Sequence, residues 1–179
     1  HGGISNKVKV NLIRIESDKL KPNQITKKLK NISGLLIPGG FGKRGTEGKI
    51  TAIKYAREKK IPFLGICFGM QMAIIEFARN KLKIKKAGST ELDKNCYPVV
   101  GLIHEWNKNG KVFKGTDKDL GGTMRLGLYE AKLRNNSAIK KIYKSSSIKE
   151  RHRHRYEVNN NLKSQFERQG LIFSGMSPD

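Results

Sequence analysis

Short apolar runs alternate with longer amphipathic stretches along this chain. The runs 34–38 and 61–66 are almost continuously apolar, which is typical of strands buried on both faces. The stretch 46–60 repeats apolar residues at helical spacing, and 68–79 is apolar on nearly all sides, which predicts a central helix. Because strands and helices alternate in this way, the pattern predicts an α/β fold with a mostly parallel sheet.

The same pattern places the remaining elements. Strands are predicted at 8–15, 97–103, 126–133 and from 171 to 174, short helices at 137–143 and 162–169, and a polar loop at 107–120. In the helix 46–60, Ile50, Ile53 and Ala56 are predicted to face the core, and Thr46 is predicted to be the N-cap. Gly170 is predicted to be the C-cap of the last helix.

Length and composition predict a single globular domain. At 179 residues the chain can bury one sizeable core, and none of its apolar runs approaches the ~20 residues of a membrane span. The two cysteines, Cys67 and Cys96, indicate a reducing, cytosolic setting rather than a disulfide framework. Cys96 is predicted to be a structural strand residue.

The net charge of +22 raises nucleic-acid binding as a hypothesis. The lysines, however, are scattered in pairs such as Lys59–Lys60 and Lys140–Lys141, and aromatic residues make up 7% of the chain. Lysines spread in this way are typical of a solvated surface, and few aromatic rings are present on which bases could stack. No nucleic-acid partner is therefore predicted.

Candidate chemistry concentrates where the run 61–66 ends in Cys67. Gly65 and Gly69 lie two residues before and two after the cysteine, and a helical pattern follows at once. This is the cysteine form of a nucleophile elbow, in which a sharp turn exposes the sulfur at the end of a strand. The helix N-terminus would favour the thiolate, and the next backbone N–H could stabilise an oxyanion. The alternative is a buried structural cysteine.

A glycine-rich turn, Gly39–Gly42, follows the other buried run. It lacks the spacing and the Lys-Ser/Thr pair of a phosphate-binding P-loop. Such a turn at the carboxyl end of a parallel strand can present bare N–H groups to a ligand, and ligand sites gather at those strand ends. With the cysteine on a neighbouring strand, the two turns predict an acyl-transfer site. The alternative is a loop that needs glycine only for its geometry.

Five motifs together resemble the class I glutamine amidotransferases, and within that family the glutaminase domains of CTP synthases. They are Pro38–Lys49, Gly65–Gln71, Gly88–Glu91, Gly121–Gly127 and Glu150–Asn159. The first two mark the family, and the last two are specific to the CTP synthase group. The resemblance runs from about Val8 to Ser174. It implies a three-layer, doubly wound, flavodoxin-like fold that carries the cysteine elbow.

The resemblance implies a binding site for L-glutamine. Cys67 would attack the side-chain amide and form a glutamyl thioester, with the N–H groups of Gly40 and Phe68 as the oxyanion hole. The implied glutamine-binding residues are Gly40, Phe41, Phe68, Gly69, Met70, Gln71, Glu91, Arg155 and Tyr156. Glu91 is a good acceptor for an ammonium group, and Arg155 offers a planar fork to a carboxylate. Two residues depart from the family: Phe68 replaces Leu, and Gly88 replaces Asn, which is expected to loosen the loop of Glu91.

The resemblance also implies parts that lie outside these 179 residues. The family's first strand and helix, its C-terminal segment with the catalytic His and Glu, and its synthetase domain are all expected to be missing here. In the full enzyme, ammonia from this domain would aminate UTP to CTP with ATP and Mg²⁺, GTP would act as an activator, and the protein would be a cytoplasmic homotetramer. No cofactor, metal or membrane contact is expected in this domain itself.

The residues leave other interpretations open. In a strand, His152 and His154 share one face and form a His-x-His pair, but no further ligands complete a zinc site at a recognisable spacing. His154 could also be the missing base. The alternative function is another cysteine hydrolase, or a chaperone-like protein, on the same elbow fold. Glu91 and the pair Arg155–Tyr156 favour the amidotransferase, because they would bind the amino-acid end of a substrate.

Overall fold

The computed structural model describes residues 1–102, 105–108, 111–114 and 124–178. The α-helices in these ranges are α1 (Gly2–Ser5), α2 (Ile25–Leu29), α3 (Thr46–Glu58), α4 (Phe68–Asn80), α5 (Ala138–Tyr143) and α6 (Lys163–Arg168). Short 3-10 helices lie at Ser17–Lys19, Pro22–Gln24 and Asn160–Leu162. Within the described ranges, no helix is both long enough and apolar enough to cross a bilayer.

The described strands form small sheets rather than one continuous sheet. They are β1 (Leu35–Ile37), β2 (Phe63–Gly65), β3 (Ala87–Ser89), β4 (Tyr97–Leu102), β5 (Glu105–Lys108), β6 (Lys111–Lys114), β7 (Arg125–Leu133), β8 (Ser147–His154), β9 (Tyr156–Val158) and β10 (Gly175–Met176). β1 pairs with β2, and β5 pairs with β6. The two three-stranded sheets have the orders β3–β4–β9 and β10–β7–β8.

The α/β class is confirmed, and parallel pairing occurs where the elbow lies. β1, α3 and β2 form a βαβ unit in which Ile37 lies opposite Gly65, because a crossover helix brings the second strand back in the same direction. β3 and β4 are also parallel. The other described pairs are antiparallel, so parallel pairing does not predominate among the described strands. Burial alternates along β7, as expected for an antiparallel strand with one solvated face.

α4 lies at the centre of the main core, as its apolar sequence predicts. Met72 and Ile75 are fully shielded from solvent and pack in one cluster with Val99 and Val100 of β4 and Phe166 of α6. On α3, the three residues predicted to face inward are buried: Ile50, Ile53 and Ala56. The packing of α3 on α4 therefore joins the helix after the glycine-rich turn to the helix after Cys67.

The other side of α3 packs on the N-terminal part of the chain. A second cluster is formed by Leu20, Ile25, Leu29 and Ala52. Gly48 permits this close approach, because a Cβ at that position would lie 1.9 Å from the Ser17 carbonyl oxygen. The segment around Ser17 is thereby fixed against the first turn of α3.

The predicted strand at 8–15 is wrong. Val8, Val10 and Leu12 are between 57% and 79% exposed, and no described strand pairs with this segment. Alternating polarity predicts a strand only where a partner edge can satisfy the backbone hydrogen bonds. The described residues supply no such edge to this segment.

Two more elements differ from the prediction. The predicted loop 107–120 contains the end of β5 and all of β6, which form a hairpin, and its remainder lies outside the described residues. Ile103, predicted to end the preceding strand, also lies outside them. The segment 171–174 is not a strand, and pairing with β7 begins only at Gly175.

Two helix caps are shifted by one residue. Gly45, with φ 68°, is the N-cap of α3, and the Thr46 hydroxyl donates to the Lys43 carbonyl. Gln169 is the C-cap of α6, and Gly170 follows it with φ 95°. In both places glycine takes the left-handed backbone conformation that other residues avoid, and this displaces the predicted cap by one position.

Candidate active site

Cys67 lies at a sharp turn between β2 and α4. Its backbone has φ 52° and ψ −106°, outside the regions that non-glycine residues ordinarily occupy. The turn is closed by the Gly69 N–H, which donates to the Ile66 carbonyl at 2.9 Å. A Cβ on Gly65 would lie 2.7 Å from the Met70 nitrogen, so a side chain there would prevent the turn. The Cys67 side chain is exposed.

The glycine-rich turn after β1 lies directly beside this elbow. A Cβ on Gly39 would lie 3.8 Å from the Cys67 Cβ, and a Cβ on Gly40 would lie 4.0 Å from the Phe68 Cδ1. On the other side, a Cβ on Gly69 would lie 2.1 Å from the Ile37 carbonyl oxygen, so the helix start packs tightly on β1. The two predicted turns therefore meet, because β1 and β2 are neighbours in register.

We refer to residues 39–45 as the glycine loop. Contacts from three other parts of the chain hold this loop in place. The Gly42 N–H donates to Oε1 of Glu91 at 3.0 Å. Arg44 is held by Asp18, which accepts from its Nε at 2.9 Å. The Arg44 carbonyl in turn accepts from Nζ of Lys49 at 3.2 Å. These contacts join the glycine loop to the end of β3, to the N-terminal segment and to α3.

Gln71 is buried beneath the elbow, with 5% of its surface exposed. Its Nε2 donates to the Tyr156 carbonyl at 3.1 Å, which joins α4 to β9. Its Oε1 is buried and has no hydrogen-bond partner among the described residues. Since a buried acceptor without a partner costs roughly 1–3 kcal/mol, this oxygen is suited to accept a hydrogen bond from a ligand.

The remaining predicted site residues differ in how far they are buried and in which element carries them. Arg155 is half-buried at the break between β8 and β9, next to Tyr156. Glu91 is half-buried and reaches the glycine loop. Phe41 is 91% exposed. Met70 is 42% exposed on the first turn of α4.

Gly88 lies against the side chain of Cys96. A Cβ at this position would lie 2.7 Å from the Cys96 Cβ, so the Cys96 side chain occupies the space in which a larger residue would stand. Burial is the largest cause of the raised pKa of the Cys96 thiol, with Asp93 adding to it. Cys96 thus fills space beside the loop of Glu91, but it lies in the bend just before β4 and not in a strand as predicted.

His152 and His154 lie side by side, with Nδ1 and Nε2 2.8 Å apart. Burial lowers the pKa of both imidazoles, and the Arg125 guanidinium adds to the shift at each. His154 Nδ1 lies 3.7 Å from Glu157 Oε1. Within the part of the chain that the structure describes, no cluster of three potential metal ligands forms. His154 therefore contacts His152 and Glu157, and none of the hydrogen bonds of the described residues joins it to Cys67.

Sequence reasoning assigned no role to Asp18 or Lys49, which hold the glycine loop from outside residues 39–45, although Lys49 is the last residue of the motif Pro38–Lys49. Their contacts join residues 26 and 5 positions apart in the chain, and the local pattern around each is that of an ordinary surface position. The sequence feature that could have pointed to Lys49 is Phe68, which stands where the family has leucine. In the structure the Lys49 Nζ lies 5.8 Å from the centre of the Phe68 ring.

Comparisons with known proteins agree on one family. The model of the class I glutamine amidotransferases matches residues 1–179. CTP synthase of Pelagibacter ubique is 73% identical over 179 residues, and CTP synthase of Rhizobium johnstonii is 55% identical over 180 residues. Each match covers 100% of this chain and 33% of the relative, so the chain spans about a third of the length of these curated relatives.

One solved structure shares the fold closely. The glutaminase domain of Trypanosoma brucei CTPS with bound acivicin superposes with a TM-score of 0.84 at 34% sequence identity. The match covers 98% of this chain and 65% of the other. The similarity therefore extends over nearly the whole described structure.

Proposed function

Because this chain belongs to the class I glutamine amidotransferases, we propose that it is the glutaminase domain of a CTP synthase. It hydrolyses L-glutamine through a glutamyl thioester on Cys67. It supplies the released ammonia to a synthetase domain of the same longer protein. The similarity to CTP synthases over the full length of the chain supports this assignment within the family.

The observation that carries the proposal is the position of Cys67 beside the glycine loop. Cys67 is exposed and is the N-cap residue of α4. Attack of the thiolate on the amide carbon places negative charge on the amide oxygen. The N–H groups of Gly40 and Phe68 lie on the two turns that meet at Cys67 and would stabilise that oxyanion.

The residues around Gln71 suit the amino-acid end of glutamine. Glu91 uses Oε1 for the Gly42 N–H, which leaves Oε2 for an α-ammonium group. The buried Oε1 of Gln71, which has no partner among the described residues, is a second acceptor. Arg155 adjoins Tyr156 and carries the planar guanidinium that pairs with a carboxylate. The three side chains thus offer two acceptors and one cation, the complement of an amino acid.

The longer protein completes the function in this proposal. Its general base for Cys67 is a His–Glu pair outside these residues. Its synthetase domain uses ATP and Mg²⁺ to aminate UTP, GTP activates it, and it works as a cytoplasmic homotetramer. These features of the longer protein are proposed from the family resemblance. In this proposal the present chain contributes the thiol, the oxyanion hole and the glutamine-binding side chains.

Covalent labelling tests the proposal. A chloroketone analogue of glutamine should add one label to the full-length protein, and Cys67→Ser should abolish it. Cys96→Ser is the matched control and should label like the wild type, because the Cys96 thiol is partly buried and its pKa is raised. Labelling of Cys67 by iodoacetamide but not by the analogue would instead indicate a cysteine hydrolase with another substrate.

A further inference from the structure

Lys49 makes two contacts that the proposed chemistry does not yet use. It lies in the first turn of α3, and its Nζ donates to the Arg44 carbonyl of the glycine loop at 3.2 Å. The same Nζ lies 5.8 Å from the centre of the Phe68 ring, within the range of a cation–π contact. One ammonium group therefore touches both the loop and the residue that follows Cys67.

The Phe68 ring connects these contacts to the oxyanion hole. The residue is 2% exposed, and its Cδ1 lies 4.0 Å from the position of a Cβ on Gly40. The glycine loop thus passes beside the ring at Gly40, where a side chain would just reach it, and is tied to Lys49 at Arg44. Burial lowers the pKa of Lys49, partly offset by the charge of Asp18, and partial loss of water strengthens an ammonium–ring contact.

We propose that Lys49 is a positioning residue for the glutaminase reaction, holding the glycine loop against Phe68 so that the Gly40 and Phe68 N–H groups converge on one oxyanion. The inference rests on the function proposed above. Lys49 acts through Arg44 and Phe68, without touching the substrate. It also gives a physical reason for Phe68 where the family has leucine, because leucine offers no ring face to an ammonium group.

Substitution of Lys49 in the full-length protein tests this role. Lys49→Met keeps the unbranched stem and removes the charge and the donor. The kcat for glutamine hydrolysis should fall about three- to tenfold with KM unchanged, because the loop is loosened while both N–H groups remain; loss of a whole oxyanion donor costs about 10²–10³-fold. Lys49→Arg should restore kcat to within about twofold, since it keeps the cation and the donor.

Two controls separate positioning from general destabilisation. Lys54→Met changes an exposed lysine of the same helix whose nearest carboxylate, Glu58, is 3.9 Å away, and it should leave kcat unchanged. CTP formation from added ammonia should be the same in all variants, because it bypasses the thioester. If Lys49→Met does not fold, Lys49→Gln removes the charge with less change in polarity and is expected to show the same loss of kcat.

A double-mutant cycle with Phe68→Leu gives the decisive result. If Lys49 acts through the ring, Lys49→Met should lower kcat less in the Phe68→Leu background than in the wild type. Unchanged kcat in the Lys49 variants, or an equal loss in both backgrounds, would overturn the inference. A wild-type protein that neither hydrolyses glutamine nor takes the chloroketone label would instead overturn the proposed function, so the two failures are distinguishable.

Discussion

The ion pair between α3 and α4 permits a quantitative test, because its two partners differ sharply in exposure. Glu76 is 1% exposed, whereas the Arg57 side chain is 29% exposed. Arg57 donates through Nε to both carboxylate oxygens, at 3.2 and 3.0 Å, and through Nη2 to Oε1 at 2.8 Å. Among the described residues, these are the hydrogen bonds that the carboxylate receives.

Replacing Arg57 and replacing Glu76 should therefore lower the free energy of unfolding by different amounts. Arg57→Met leaves a buried carboxylate without a donor, which typically costs about 3–5 kcal/mol. Water that reaches the partly exposed Arg57 position should reduce the loss in the free energy of unfolding to about 3 kcal/mol. Glu76→Met leaves a guanidinium that can rehydrate, and its cost should be about 1 kcal/mol. The double variant should lie within about 1–2 kcal/mol of the wild type.

Urea unfolding of the four proteins at pH 7, followed by circular dichroism, measures these differences. Arg57→Lys is the matched control, because it keeps the charge and loses the forked geometry, and it should fall between wild type and Arg57→Met. Equal costs for Arg57→Met and Glu76→Met would refute the argument from exposure.

Two further predictions concern the substrate and the pH. Arg155→Ala should raise KM for glutamine by about 10–150-fold, the effect of losing a charge-assisted contact worth about 1.5–3 kcal/mol, while ammonia-dependent CTP formation persists; unchanged glutamine kinetics would exclude Arg155 from the site. Burial lowers the pKa values of His152 and His154 in the folded protein. Just below pH 6.5, the approximate pKa of histidine in the unfolded chain, the unfolded chain therefore binds more protons than the folded protein does. Their contribution to stability is full above that pH and is lost as the pH falls below it. Urea midpoints at pH 7.5 and 5.5 measure this, and replacing both histidines by glutamine should flatten the difference.

The elements nearest the elbow were predictable because their determinants are local. The glycines around Cys67 and the apolar run before it specify a strand and a turn within residues 61–69, and β2 and α4 follow them closely. Ile50, Ile53 and Ala56 likewise face inward because helical spacing fixes which residues share a face. The approach of β1 to β2 followed from the alternation of strand and helix.

What failed depends on contacts between distant residues. The segment 8–15 has the polarity of a strand, yet pairing depends on an edge elsewhere in the structure, and no described strand supplies one. The bond from Gly42 to Glu91 joins residues 49 positions apart, and no local pattern indicates it. Likewise, the sequence does not show that Cys96 fills the space beside Gly88.

At position 67, selection for stability and selection for a reactive thiol favour different residues. A non-glycine residue at φ 52° and ψ −106° costs of order 1–3 kcal/mol, a noticeable share of the 5–15 kcal/mol that a domain ordinarily has. Glycine would relieve that cost, so a lineage that no longer needed the thiol would gain stability by losing it. We therefore expect cysteine to persist at this position only where the thiol is needed, and drift towards glycine to be the trace of a domain retained only as a scaffold.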